Sequence, residues 1–228
     1  MIDREARDKV IEAFEDFLDD RITAFEFDDR LQDIGSDDQT VNEVIRVAWS
    51  HYDDCTDHKV CLSKAEWDFF QRLLLILRSD AELLRSCVEA KLWSWDHAVA
   101  WCACAGFVGM ALMIGWDWRV FPMIVLFGIL SLAISRYRQR RGRKAESNEM
   151  ACLPFESFSQ IRRLLRQIPA FQKQRYRREL ATRAIRSSAM DGFNRVLSYG
   201  CWMLLSPVAL LIQGFPSRMD ARLRVINR

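Results

Sequence analysis

What this 228-residue chain lacks narrows it before any motif is read. The opening residues, Met1-Ile2-Asp3-Arg4-Glu5, carry no apolar stretch. A cleaved secretory signal is therefore not expected, and insertion into a bilayer must rely on internal segments. The seven cysteines, Cys55, Cys61, Cys87, Cys102, Cys104, Cys152 and Cys201, are odd in number, and two fall inside an apolar run. That argues against a disulfide framework and for reduced thiols. Strand-like alternation and internal repeats are also missing, so an all-α chain is expected. No charged residue lies between Ala98 and Trp116, nor between Val120 and Ser135.

Those two uncharged runs are the most informative feature present. At about 1.5 Å per residue the first spans roughly 28 Å, close to the hydrocarbon thickness of a bilayer. Joined only by Asp117-Trp118-Arg119, they read as a transmembrane hairpin with spans at about 98–116 and 120–135. Trp93 and Trp95 at the entry and Trp116 and Trp118 at the turn suit interfacial belts. Ala105 and Gly109, with Gly106 beside them, offer small surfaces for close helix packing or for homo-oligomerisation. The charge-free interior counts against an ion or proton pathway.

Charge divides the chain in two. Residues 1–96 hold 24 acidic against 12 basic side chains, and residues 97–228 hold 7 against 21. The hairpin exit carries Arg136, Arg138, Arg140, Arg141, Arg143 and Lys144. The positive-inside bias places these in the cytosol, and two crossings then put the acidic front half there too. The expected location is a bacterial inner membrane, multi-pass.

Residues 1–96 are expected to form a cytosolic helical bundle. Capping-box patterns occur at Thr23/Glu26, Thr40/Glu43, Ser63/Glu66 and Ser79/Glu82. Helix-spaced apolar faces accompany them: Val10, Ile11, Phe14, Phe17 and Leu18; Phe27, Leu31 and Ile34; Val41, Val44, Ile45, Ala48 and Trp49; Trp67, Phe70, Leu73, Leu74 and Leu77. The Ser79 box is expected to start a helix running through Leu92 and Trp95 into the membrane.

Within the bundle, Phe17-Leu18-x-x-Arg21-Ile22-Thr23-Ala24-x-Glu26-Phe27-x-x-Arg30-Leu31 resembles the helix-turn-helix stretch of colicin-D-type immunity proteins, small helical bundles that block a toxic nuclease domain. The resemblance covers about fifteen residues, and that family is soluble, without the membrane half seen here. It implies an acidic face that occludes a basic toxin domain, with Asp19, Asp20, Glu26, Asp28, Asp29 and Asp33 as partner contacts. Read from the residues alone, these acids are expected to form a solvated helix face.

The loop His51-Tyr52-Asp53-Asp54-Cys55-Thr56-Asp57-His58-Lys59-Val60-Cys61 concentrates metal-ligand residue types. His51, Cys55, His58 and Cys61 could hold zinc. The spacing matches no pair-and-pair finger, the EF-hand glycine and glutamate are missing, and a polar interhelical loop is the expected reading. No cofactor and no catalytic group are expected; a metal-dependent enzyme built on this loop is the last alternative.

Residues 137–195 form a basic amphipathic segment. Leu153, Phe155, Phe158, Ile161, Leu164, Leu165 and Ile168 alternate with Arg162, Arg163 and Arg166, which suits a helix lying in the membrane interface. Anionic lipid is expected as its partner in preference to nucleic acid, although arginines neutralise either phosphate. Residues 196–215 form a third apolar run that Ser206-Pro207 should kink, and 216–228 a basic tail. Spanning is slightly favoured for this run, but would export Arg218, Arg222, Arg224 and Arg228; a re-entrant helix would not. The expected function is non-enzymatic: a membrane-held acidic domain that binds a cytosolic protein, most concretely in immunity or defence, with an oligomeric membrane effector or channel subunit as the alternative.

Overall fold

The computed structural model describes residues 2–53, 55–88, 95–115, 118, 120–150, 152–215 and 220–226, with backbone only at 87–88, 141–150 and 220–222. The chain is mostly helical, and its contacts divide it into two compact units. The first gathers Met1–Cys87, Asn148–Ile185 and Ala221–Arg228; the second comprises Val88–Ser147 and Arg186–Asp220.

The first unit is built on α1 (Arg4–Leu18), α2 (Ala24–Gln32), α3 (Gln39–Ala48) and α4 (Lys64–Leu77). Both the Thr23 and the Ser63 capping boxes form, each with its Glu reaching back to the cap amide. α3 starts differently: Asp38 caps it by accepting from Thr40 N at 2.9 Å, while the Thr40 hydroxyl accepts from Leu83 N at 3.1 Å. The predicted apolar faces of α1 and α4 are buried, and Phe14, Phe17, Phe27, Phe70 and Trp67 form the centre. Phe17 stacks on Phe27 at 4.5 Å, and Phe14 meets Phe27 edge-on at 5.3 Å. Burying each such ring contributes about 1.5–3 kcal/mol. Trp49 departs from expectation, lying 53% exposed at the end of α3.

Arg7 is fully buried within this unit. Its Nε donates to Asp38 at 2.7 Å and its Nη1 to the carbonyls of Ser79 at 2.7 Å and Ala81 at 3.1 Å. Those contacts correct the expected helix from Ser79. With two carbonyls held by Arg7 and the Ser79 hydroxyl donating to Ile76 O, the chain turns extended as β1 (Glu82–Val88).

β1 pairs with β2 (Asp220–Ile226), so the fold is not purely α and the segment taken as a basic tail contributes a strand. Val225 is buried between exposed Arg224 and Ile226, as the alternation of a strand requires, and on β1 Leu83 is fully buried. α7 (Phe158–Gln167) belongs to this unit too. Phe155, Ile161, Leu164 and Ile168, expected in the membrane interface, pack into or against the core, whereas Phe158 and Leu165 stay exposed.

The second unit holds α5 (Trp95–Ile114) and most of α6 (Val120–Met150); among the described residues, α5 and the Val120–Arg140 part of α6 are the two helical stretches that by themselves are long and apolar enough to cross a membrane. α6 continues through the basic run instead of stopping at it. The turn between them includes Gly115 at φ +78°, a left-handed conformation that suits glycine. α5 buries Ala100, Ala103, Cys104, Phe107 and Ala111 at helical spacing. Ala105 and Gly109, singled out for close packing, face outward instead, and nothing lies within 4 Å of a Cβ built at Gly109.

The close approach falls at Gly128 of α6, where a Cβ would sit 2.9 Å from Met203 Cα. The third apolar run is broken into α8 (Ser188–Leu204) and α9 (Ser206–Gly214), bent by 78°. Pro207 lies in the first turn of α9, where a missing N–H removes no helix hydrogen bond. Polar groups tie the break to α6: Ser206 Oγ donates to Ile124 O at 3.0 Å, Trp202 Nε1 to Ser131 Oγ at 3.1 Å and Gln213 Nε2 to Ser131 O at 3.2 Å. In apolar surroundings such bonds hold helices together because free polar groups find no water.

Candidate functional site

The six acids expected to meet a partner separate into two groups. Asp20 has its backbone at φ +62° and a side chain only 13% exposed. Arg183 donates to it at 2.7 Å, and Arg177 lies 3.2 Å away. Partial burial disfavours its charge, but the two guanidiniums outweigh that and hold its carboxyl below the usual range. Asp19 pairs with Arg21, and Asp28 accepts from Tyr52 OH and from Gln32 Nε2.

Glu26, Asp29 and Asp33 remain outward. At positions i, i+3 and i+7, Glu26 and Asp29 on α2 and Asp33 at its C-terminal cap form one line, all exposed, beside the exposed ring of Phe25. Glu26 also serves as the back-reaching member of the Thr23 capping box. Arg30, which would neutralise this line, is turned away to Asp16 at 2.8 Å.

The basic partner of Asp20 comes from the chain itself, and composition alone did not reveal it. Residues 171–185 run as a strap over the first unit, with one short 3-10 helix at Arg178–Thr182. Lys173 pairs with Asp68 at 2.7 Å, Trp67 Nε1 donates to Gln174 O at 3.2 Å, and Tyr176 OH donates to Leu62 O at 3.0 Å. Arg177 donates to Leu18 O at 2.6 Å, Leu180 is buried, and Arg183 also reaches Val60 O at 3.1 Å. Part of the acidic half is thus matched by part of the basic half.

The four loop residues considered as metal ligands are not brought together. His51 packs between Phe69 and Phe70 with Glu66 at 3.8 Å; burial lowers its pKa against the opposing pull of Glu66. His58 bonds backbone on both nitrogens, at Asp53 N and Lys59 O. Cys55 is exposed. Cys61 donates to Arg183 O at 3.2 Å, and burial pushes its thiol up, away from the thiolate a metal would take. Among the described residues no three His, Cys, Asp or Glu gather in metal-binding geometry.

Of the arginines expected at lipid, Arg162, Arg163 and Arg166 occupy the exposed face of α7. Arg138 donates to Gln213 O at 2.9 Å and Arg136 to Tyr199 OH at 2.9 Å. The side chains of Arg141, Arg143 and Lys144 lie outside the described residues. Compared with protein-family models, characterised proteins and solved structures, the chain finds no match.

Proposed function

We propose that this chain is a non-enzymatic membrane protein whose first unit is held at the cytosolic face of a bacterial inner membrane and captures a basic protein surface through α2. The observation that carries the reading is the line Glu26, Asp29, Asp33 with Phe25 beside it: three exposed carboxylates and an exposed ring on one helix and its C-terminal cap. An aromatic anchor flanked by like charge suits a partner of opposite charge. A defence role, as the resemblance implies, would have this face cover a basic toxin domain.

Membrane location rests on α5 and α6, and sidedness on the basic run at the hairpin exit. Segments 1–87, 148–185 and 221–228 belong to one compact unit, so they share one side of any bilayer. The chain leaves that unit before α5 and returns after α6, then leaves again before α8 and returns after α9. The bent α8–α9 pair is therefore read as re-entrant, which keeps Arg222 and Arg224 in the cytosol with the rest of the basic half.

Crosslinked recovery of the full chain from membranes tests the function. A specific, salt-sensitive partner should be captured and lost in Glu26→Gln/Asp29→Asn/Asp33→Asn; equal capture by both chains would sink the reading.

A second reading, an oligomeric membrane effector, draws on the outward apolar side chains of the second unit, among them Leu112, Met113, Phe121 and Leu126. They face lipid in the first reading and sister copies in the second. A strict monomer in detergent without conductance in liposomes excludes the second.

A further inference from the structure

We infer that the cleft between α6 and α8 binds one anionic phospholipid, an inference that rests on α6 crossing the bilayer. The two helices run antiparallel, pinched together where Gly128 meets the Met203 backbone. Toward the basic end of α6 they leave a cleft of about 490 Å³. Its floor is apolar, formed by Ile129, Leu132 and Met203, and its mouth carries Arg136, Arg140 and Tyr199.

The gradient along the cleft has the dimensions of one lipid leaflet. Ile129 to Arg140 is about 16 Å of helical rise, roughly half the thickness of a 30 Å hydrocarbon layer. Arg136 and Arg140 lie one turn apart, about 6 Å, so both guanidiniums can address one phosphate. Tyr199 orients the first of them, accepting its hydrogen bond at 2.9 Å with the ring centre 5.3 Å from the guanidinium carbon. No carboxylate is among the residues that line the cleft.

An acyl chain fits the floor and a net-negative headgroup fits the mouth. A zwitterionic lipid supplies the first without the net charge that two arginines select, and a soluble phosphate supplies the charge without covering the floor.

The test is native mass spectrometry of the full chain released from detergent micelles holding equal amounts of dioleoyl phosphatidylglycerol and dioleoyl phosphatidylcholine. Wild type should retain one phosphatidylglycerol about tenfold in preference to phosphatidylcholine, the scale of one charge-assisted contact. Arg136→Gln/Arg140→Gln should abolish that preference, Leu132→Trp should reduce retention of both lipids by filling the floor, and Arg46→Gln, at an exposed position on α3, should change nothing. Arg140→Gln alone, at an exposed position, carries the test if the double variant does not fold. Excess glycerol 3-phosphate should not displace the lipid.

Absence of preference in wild type, an unchanged preference in the arginine variants, or displacement by glycerol 3-phosphate would each overturn the site. Recovery of the chain in the soluble fraction would instead overturn the membrane reading beneath it.

Discussion

Arg183 donates to Asp20 at 2.7 Å, and the two residues are 163 positions apart. Between them run α5 and α6, each long and apolar enough to cross a bilayer. This ion pair joins chain on either side of the hairpin, so it constrains topology as well as stability. It also removes Asp20 from the surface offered to other proteins.

Asp20→Asn should loosen the strap. Asn tolerates the left-handed backbone at this position, so the change isolates the loss of charge. Tryptic cleavage between Lys173 and Arg186 should accelerate, with a stability loss of about 1 kcal/mol after allowing for solvent screening. Asp20→Ala should cost about 1–2 kcal/mol more through backbone strain. Unchanged cleavage in both would show that the strap is held by its other contacts, without need of Asp20.

Arg7 and Asp38 make a second, buried pair, with side chains 0% and 4% exposed. Asp38→Asn should destabilise the first unit by about 3–5 kcal/mol because it leaves a guanidinium buried without its counter-charge. Arg7→Met/Asp38→Asn should be less damaging than Asp38→Asn alone. Chemical denaturation of the full chain, followed by the fluorescence of buried Trp67, reads both.

Acid should weaken the first unit in two steps. Burial holds the His51 imidazole below its usual pKa, so the folded state prefers it neutral. Its contribution is present above about pH 6.5 and declines as pH falls below that value. The carboxyls of Asp16, Asp20 and Asp38 are also lowered: Arg30 chiefly does so at Asp16, while arginine partners outweigh burial at the other two. Their contribution is present above about pH 4 and lost as pH falls through the lowered folded values. Thermal unfolding from pH 8 to 3 should show a shallow decline, absent in His51→Gln, and then a steep one. Rising stability between pH 7 and pH 4 would contradict these assignments.

In the second unit, Gly128→Val should separate α6 from α8, lowering the melting temperature in detergent, whereas Gly109→Val should leave it unchanged. Equal effects would mean that the α6–α8 approach is not the one that matters.

Much of the helical plan was legible because it depends on local signals. Two capping boxes and the apolar periodicity of α1 and α4 located both the elements and their buried faces. The rest required partners distant in sequence. β1 was read as helix because its pairing strand lies at the other end of the chain, although the alternation Arg222-Leu223-Arg224-Val225 is a short strand signal. Arg7 shares a helical face with Val10 and Phe14, a position that could have marked it as a buried charge needing an acid. Phe155 and Leu164 were assigned to a membrane surface because periodicity identifies an apolar face without naming what covers it. Around α2 the acids were visible, but their division was not: Asp20, in the turn before it, is claimed by arginines beyond the hairpin, while Asp29 and Asp33 stay exposed.

Reporter fusion at Arg228 tests the topology most directly, because the unit uniting 1–87, 148–185 and 221–228 requires an even number of crossings. A fluorescent protein that matures only in the cytosol should fluoresce there, and alkaline phosphatase, active only outside, should be silent. The same reporters placed after Gly115, at the hairpin turn, should give the reverse. Phosphatase activity at Arg228 would contradict the account, since it would put β2 on the opposite side of the membrane from β1.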